Sequence, residues 1–227
     1  MRMDKSDRKK RKITGVALLI SGSLLWSGCG NSQEQDISGS LIQSDKQGET
    51  TLTYGSGDYT RINPAMDEHG EINLLLFDGL TAHDGENKVV PALAKSWEYE
   101  EESCTYTFFL EEDVTWHDGE PFGAEDVKFT IEAIRNPDNT SENAPNFEDV
   151  EEIRVVDENT ISFRLKAPNV AFLDYMTMAV LPKHLLEGED MQLSAFFKNP
   201  VGTGPFKLES WEEGQTICLV KNEDYFK

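Results

Sequence analysis

Cysteine, positive charge and metal-binding spacings are all scarce in this chain of 227 residues. It has three cysteines and four histidines, and neither a CxxC nor an HxxxH spacing occurs. A structural zinc site is therefore not expected, because such sites need closely spaced thiolate or imidazole pairs. Asp and Glu number 42 against 21 Lys and Arg, which gives a formal net charge of −21. Nucleic acid is not an expected partner, because its binding requires cations that neutralise phosphates.

The motifs of common enzyme classes are also missing. The sequence has no GxSxG elbow, no P-loop and no GxGxxG after a strand. His83-Asp84-Gly85 and His117-Asp118-Gly119 are similar tripeptides, but each lies where the chain is predicted to turn, which favours turn stabilisation over catalysis. We therefore expect a protein that is not an enzyme. An exported hydrolase that uses two of the many carboxylates remains the less favoured alternative.

No apolar run reaches the length of about 20 residues that a membrane-spanning helix needs. The basic segment Met1–Lys12 is followed by the short apolar segment Ile13–Trp26 and then by small residues before Cys29. This order predicts a secretory signal peptide over residues 1–28. It also resembles a bacterial lipoprotein signal, in which the thiol of Cys29 would receive a diacylglyceryl group. Trp26 stands where such signals usually have Leu, so slow or displaced processing is expected.

The segment after the signal differs in composition from the rest of the chain. Residues 29–49 are polar and rich in Ser, Gln, Asp and Gly, which predicts a flexible tether. The globular body is then predicted to cover residues 50–227, and hydrophobic residues at 38% of the chain suffice for a packed core. A disulfide between Cys104 and Cys218 and two free thiols are equally compatible with the sequence.

The body alternates predicted strands and helices. Ala124–Arg135 is the clearest helix, because Val127, Ile131 and Ile134 recur at helical spacing on one face. A shorter helix is predicted over Glu71–Leu80, and a strand over Thr51–Tyr54. Further predicted elements are two short helices within residues 169–186, hairpins around residues 157–159 and 213–214, and a strand over Thr105–Leu110. The predicted fold class is α/β.

Six sequence blocks, in a fixed order, carry a family resemblance. They are LFDGLT from Leu76, VPALAKSW from Val90, YTF from Tyr106, WHDGEPF from Trp116, AEDV from Ala124 and NPVGTGPFKL from Asn199. Together they resemble the peptide/nickel-type, family 5 extracellular solute-binding proteins of ABC importers. The resemblance extends from about Thr51 to the last residue.

The resemblance implies a fold and a mode of binding. The expected fold is type II periplasmic-binding-protein-like: a mixed sheet with β-hairpins and helices that forms the N-terminal lobe of a two-lobed protein. In that family, two lobes close on the ligand by a hinge motion. Family members are about twice as long, so we expect this sequence to contain only the N-terminal lobe. We therefore expect the chain alone to bind its ligand weakly or not at all.

The resemblance also selects candidate ligand-binding residues in two segments. One is the segment between the first strand and the first helix, where aromatic, cationic, acidic and imidazole side chains occur. The other is the glycine loop, where a missing side chain lets backbone approach a ligand. The candidates are Tyr59, Arg61, Glu68, His69, Gly202 and Thr203. Loop support and helix capping are the alternative roles for these residues.

Peptides are the first expectation for the ligand, because most of the family's members bind them. Glu68 and His69 make a nickel chelate the alternative, since imidazole suits Ni(II). The implied partners are an oligopeptide or dipeptide and the permease subunits of an ABC transporter, with no cofactor. The implied location is the outer face of the cytoplasmic membrane, which is the periplasm in two-membrane cells, with a lipid anchor. A purely structural surface lipoprotein remains a third possibility.

Overall fold

The computed structural model describes residues 41–44, 50–55, 60–66 and 70–227. The predicted signal peptide and Cys29 lie outside these residues, as do three of the candidate binding residues, Tyr59, Glu68 and His69. The chain divides into two compact units, residues 1–55 and residues 56–227. Each unit is described by itself.

The first unit contains a two-stranded hairpin. Strand β1 (Leu41–Ser44) pairs antiparallel with β2 (Thr50–Thr53), and Leu41 lies opposite Thr53. The strand predicted from Thr51 is thereby confirmed. β1 lies inside residues 29–49, for which the composition predicts a flexible tether. These residues form a strand because their backbone is hydrogen-bonded to β2. The boundaries of the signal peptide, tether and body stay predictions.

The second unit contains four α-helices and eight strands among the described residues. The helices are α1 (Gly70–Leu76), α2 (Ala124–Arg135), α3 (Phe172–Tyr175) and α4 (Lys183–Leu186). The strands are β3 (Thr81–His83), β4 (Val89–Pro91), β5 (Ala94–Glu100), β6 (Thr105–Leu110), β7 (Val150–Asp157), β8 (Thr160–Leu165), β9 (Phe206–Glu212) and β10 (Thr216–Lys221). Both predicted hairpins and the two predicted short helices are confirmed. The helix predicted over Glu71–Leu80 is too long, because α1 ends at Leu76, where the carbonyl oxygen of Leu76 accepts from the backbone N–H of Gly204.

The largest sheet has four strands in the order β5-β6-β8-β7, and β3-β4 and β9-β10 form two-stranded sheets. Every strand pair in the described part of the chain is antiparallel. The expected mixed sheet is therefore not found there. Short turns join the strands of β3–β4, β5–β6, β7–β8 and β9–β10, whereas parallel neighbours require long crossover connections.

The predicted bounds of α2 are confirmed to the residue. Its apolar stripe of Val127, Ile131 and Ile134 is buried. Asp126 fixes the start of the helix, because Oδ2 accepts a hydrogen bond of 3.0 Å from the backbone N–H of Gly123. Its other oxygen, Oδ1, accepts a 2.9 Å bond from the backbone N–H of Lys183. One carboxylate thus fastens the start of α4 to the start of α2.

An aromatic cluster forms the centre of the core. Phe172 of α3 packs edge-on against Phe163 at 5.6 Å, and Phe163 meets Phe108 at 5.8 Å. All three side chains are fully buried. Rings at these separations gain specific edge-to-face interactions in addition to hydrophobic burial. The sheet and α3 are thereby held together.

One question that the sequence left open receives an answer in the described residues. Cys104 and Cys218 are both free thiols, so no disulfide joins them. Across residues 41–44, 50–55, 60–66 and 70–227, every helix is too short or too polar to cross a membrane.

Candidate functional site

The glycine loop Gly202-Thr203-Gly204 lies directly against the end of α1. The backbone N–H of Gly204 donates a hydrogen bond of 3.0 Å to the carbonyl oxygen of Leu76. A Cβ atom on Gly204 would lie 2.5 Å from the carbonyl carbon of Leu76, and one on Gly202 would overlap the Leu76 oxygen. Side chains at these two positions would therefore push the loop away from α1.

Thr203 is held from the other side by Asp78, the residue that follows α1 and Phe77. The hydroxyl of Thr203 accepts a 3.2 Å bond from the backbone N–H of Asp78 and lies 3.4 Å from Asp78 Oδ2. The second carboxylate oxygen, Oδ1, accepts a 3.0 Å bond from the hydroxyl of Tyr225. Asp78 thus connects the loop to the segment that follows β10.

His117 holds the same loop through both of its ring nitrogens. Nδ1 lies 3.1 Å from the backbone N–H of Gly202, and Nε2 lies 3.0 Å from the carbonyl oxygen of Gly204. Because Gly202 donates and Gly204 accepts, this pattern assigns the neutral ring with its proton on Nε2. The backbone N–H of His117 also donates to the carbonyl oxygen of Gly202 at 2.9 Å. Three hydrogen bonds therefore link one residue to the loop.

Asn222 and Lys207 add hydrogen bonds where these segments meet at the glycine loop, a place called the junction below. The side-chain amide of Asn222 donates a 3.0 Å bond to the carbonyl oxygen of Gly204, and its backbone N–H donates to Pro205 at 2.8 Å. Lys207 Nζ lies 3.3 Å from the carbonyl oxygen of His117. The blocks LFDGLT, WHDGEPF and NPVGTGPFKL, which are far apart in the sequence, therefore meet at this loop together with residues 222–225.

Burial shapes the ionisation of the groups around the loop. It raises the pKa of Asp78, although the hydrogen bonds from Tyr225 and Thr203 and the charge of Lys227 act in the opposite direction. Burial also raises the pKa of Tyr225, and the neighbouring Asp78 adds to that effect. The phenol consequently stays protonated and can donate. Burial lowers the pKa of His117, which favours the neutral ring that the hydrogen bonds require.

Arg61, a predicted ligand-binding residue, is fastened to a different part of the chain. Its Nη1 donates bonds of 3.2 Å to the carbonyl oxygen and 2.9 Å to Oε1 of Gln192. Nearby, Asn63 donates a 2.7 Å bond from Nδ2 to the carbonyl oxygen of Met191. The guanidinium is partly buried. The structure therefore supports Arg61 and the glycine loop through separate contacts.

Gly202 and Thr203, the other described candidates, are both buried, and Thr203 is only 1% exposed. The hydroxyl of Thr203 already interacts with Asp78. In the structure, hydrogen bonds hold the backbone of these two residues in place where several segments of the chain meet. Direct contact of Gly202 or Thr203 with a ligand stays a prediction, as it does for Tyr59, Arg61, Glu68 and His69.

The two HDG tripeptides are less alike than their sequences. In each, the Asp supports the turn: Asp84 Oδ1 accepts from the backbone of Glu86 at 2.8 Å, and Asp118 Oδ1 from that of Glu120 at 3.2 Å. The histidines differ, because His83 contacts the carboxylate of Asp174 at 3.0 Å, whereas both ring nitrogens of His117 contact backbone atoms. Turn stabilisation therefore explains the aspartates but does not account for His117.

Within the described residues, no three His, Cys, Asp or Glu side chains are grouped so that they could hold a metal ion. Transition metals in proteins are usually held by three or more such ligands.

A family model matches residues 88–227 of the chain. It is described as bacterial extracellular solute-binding proteins, family 5, middle region. The match contains α2, the four-stranded sheet, His117 and the glycine loop. All six sequence blocks except the first lie wholly within it.

Individual proteins show the same likeness. A protein of Brucella ovis named as an ABC transporter peptide-binding protein is 36% identical over 155 residues, which are 66% of this chain and 29% of that protein. NikZ from Campylobacter jejuni, solved in complex with Ni(L-His), is 42% identical with a TM-score of 0.72 and covers 75% of this chain and 35% of NikZ. AppA from Bacillus subtilis, solved in complex with a nonapeptide, is 29% identical with a TM-score of 0.70, covering 75% and 36%.

These likenesses confirm the predicted fold class, a type II periplasmic-binding-protein-like α/β lobe. They also limit which properties of the relatives can be transferred to this chain. The matching region spans about a third of the length of each of these relatives, between 29% and 36%.

Proposed function

The chain belongs to family 5 of the bacterial extracellular solute-binding proteins, and on this premise we propose that it serves as the substrate-capturing component of an ABC importer. In this proposal the protein captures peptides outside the membrane and delivers them to the permease subunits. The observation that carries the proposal is the convergence of three family sequence blocks on the Gly202–Gly204 loop. Their hydrogen bonds fix that loop beside α1.

Peptide is the proposed ligand for two reasons. The Brucella ovis relative is named as a peptide-binding protein, and AppA was solved with a nonapeptide. The helix beside the loop also offers apolar surface, because Leu74 is 73% exposed and Leu75 is 38% exposed. Ligand sites of this kind combine apolar lining with a few polar groups that fix orientation. In this proposal Arg61 supplies a positive charge that pairs with a carboxylate of the peptide.

A nickel chelate is the alternative ligand. It is favoured by the 42% identity to NikZ, which was solved with Ni(L-His). Since the described residues contain no cluster of three metal ligands, the metal would enter already coordinated by a chelator. His69, with Glu68 beside it, would then complete the coordination or contact the chelator.

We further propose that the protein is exported and attached to the membrane through Cys29. Two acyl chains on one cysteine suffice for stable anchoring. The substitution Cys29→Ser is expected to release the protein from the membrane fraction into the soluble fraction. Detection of a diacylglyceryl-modified N-terminal peptide by mass spectrometry in the unaltered protein, and its absence in the variant, would support the anchor.

The ligand can be tested by nuclear magnetic resonance, which detects weak binding by a single cleft wall. Peptides of two to nine residues, or nickel with histidine, would be added to the ¹⁵N-labelled chain. Peptide binding is expected to shift the backbone amide signals of Arg61, Gly202 and Thr203. The amide of Gly85, which lies in the β3–β4 turn, serves as the internal control.

The outcomes separate the candidate functions. Shifts with nickel plus histidine, but not with peptides, would replace the peptide proposal by the nickel alternative. Cleavage of the added peptides in the same sample would indicate a hydrolase. Shifts that are equal at Gly85 and at the glycine loop would contradict ligand capture by this lobe.

A further inference from the structure

The ring of His117 stands out in the described residues because both of its nitrogens are committed to one short loop. It contacts the backbone at positions 202 and 204, and these are the two glycines that a side chain would push away from α1. A lysine could not replace it, since an ammonium group donates but cannot accept. The arrangement requires a side chain that accepts at one point and donates at another.

We propose that His117 is the positioning residue of the Gly202–Gly204 loop, and that it holds the loop through both nitrogens only while its ring is neutral. The importance of this for ligand capture rests on the proposed function, but the hydrogen bonding itself does not. Protonation from solvent would place a hydrogen on Nδ1, opposite the N–H of Gly202. Two donors would then face each other at a distance of about 3 Å, so the Gly202 contact would be lost.

The charged groups around His117 set the pH at which this happens. Burial lowers the pKa of His117 below 6.5, and the charge of Lys207 lowers it further. The hydrogen bond to Gly204 and the carboxylate of Asp118 act in the opposite direction and raise the pKa. Lys207 is on β9 and lies 3.9 Å from Asp224. On the far side of the loop, Asp78 contacts Thr203 and Tyr225.

The sign of the pH effect follows from the lowered pKa. A histidine whose folded-state pKa is depressed stabilises the fold fully above its unfolded value of about 6.5. That contribution is lost as the pH falls from there through the folded-state pKa. The loop is therefore held at neutral pH and loosened in acid. This direction is opposite to that of a histidine that is stabilised by an ion pair.

The test uses the whole chain without any ligand. Long-range ¹⁵N spectra of the imidazole are expected to show an unprotonated Nδ1 and a protonated Nε2 at neutral pH. The protection factor of the Gly202 amide against hydrogen exchange, corrected for the intrinsic rate, is expected to fall about tenfold as His117 titrates, the factor for one hydrogen bond of ordinary net strength. A proton on Nδ1 at neutral pH, or constant Gly202 protection throughout the titration, would overturn the proposal.

Two substitutions make the test independent of a merely structural role. Lys207→Gln removes a charge that lowers the pKa of His117, so the loss of Gly202 protection is expected to move to higher pH. Asp118→Asn removes a charge that raises the pKa, so the loss is expected to move to lower pH. Shifts in the same direction, or no shift in either variant, would contradict the assignment.

His117→Asn provides the third variant, because its amide oxygen occupies the place of Nδ1 and cannot be protonated in this range. Gly202 protection is expected to remain but to lose its pH dependence. His83→Asn is the matched control, since His83 occupies the equivalent place in the other HDG tripeptide and contacts Asp174 instead. It should leave the Gly202 titration unchanged. If His117→Asn fails to fold, the opposite pH shifts expected in the Lys207 and Asp118 variants still test the proposal. Peptide-induced shifts that are equal at Gly85 and at the glycine loop would contradict the proposed function without affecting these ligand-free measurements.

Discussion

The hydroxyl of Tyr225 donates a hydrogen bond of 3.0 Å to the carboxylate of Asp78, although the two residues are 147 positions apart in the sequence. The carboxylate is partly buried, and Thr203 lies against its second oxygen. A buried charge is costly unless donors replace the water it has lost. The bond from Tyr225 therefore stabilises the point where α1, the glycine loop and the segment after β10 meet.

Tyr225→Phe is expected to lower the free energy of unfolding by about 1–3 kcal/mol, the cost of leaving a buried acceptor without its donor. Urea unfolding followed by fluorescence measures this change. Tyr175→Phe is the matched control, because its ring packs against Phe147 but its hydroxyl has no hydrogen bond to another described residue. Equal losses in the two variants would show that the hydroxyl of Tyr225 contributes nothing specific.

Gly202→Ala is expected to be strongly destabilising, because the added methyl group would overlap the carbonyl oxygen of Leu76. Overpacking of this kind costs about 1–3 kcal/mol or more. Gly85→Ala offers the control, since no atom lies within 4 Å of the new Cβ. That change should stay within about 0.5 kcal/mol of the unaltered protein. Similar unfolding midpoints for both variants would refute the close approach of loop and helix.

Asp78→Asn is expected to flatten the pH dependence of stability. Burial raises the pKa of Asp78 above 3.8, so its contribution to folding is present below that pH and is lost as the pH rises through the folded-state pKa. Asn does not ionise and still accepts from Tyr225. Relative to the unaltered protein, the variant should therefore gain stability between about pH 3.8 and neutrality. A stability difference that is the same at both pH values would contradict this account.

Asp126→Asn is expected to destabilise the protein by about 1–3 kcal/mol, even though burial raises the pKa of this carboxyl group. Both of its oxygens accept from backbone N–H groups, those of Gly123 and Lys183. An amide can satisfy only one of them. Glu125→Gln is the adjacent control, because Glu125 forms only an exposed ion pair with Lys183 at 3.1 Å, and such pairs contribute little. Thermal unfolding of the two variants distinguishes them, and a larger loss in Glu125→Gln would rule out the capping role.

Local patterns in the sequence were sufficient for most of the secondary structure. The helix from Ala124 to Arg135 has an apolar stripe, acidic residues in its first turn and a proline after its end, so several short-range signals agree. The hairpins around residues 157–159 and 213–214 were predictable because apolar alternation flanks each turn. The turn of the β3–β4 hairpin at residues 83–85 was predicted, but the bounds of its strands were not, since three-residue strands are too short for an alternation to be recognised.

The junction at the glycine loop could not be derived from such patterns. The bonds of Gly202 to His117 and of Thr203 to Asp78 join residues 85 and 125 positions apart, and periodicity carries no information over that distance. The order of the family blocks indicated that these segments are characteristic of the family, but it did not indicate that they contact one another. The role of His117 was hidden for the same reason, because its neighbours in the sequence suggested only a turn.

The separations across the junction also have a kinetic consequence. Contacts that close large stretches of chain form late in folding, since their entropy cost is met only after local structure exists. The α2 helix and the β7–β8 hairpin can form from their own residues, whereas the junction at the glycine loop is complete only when Tyr225 reaches Asp78. During synthesis, the first two hundred residues would therefore emerge from the ribosome before the junction at the glycine loop could form.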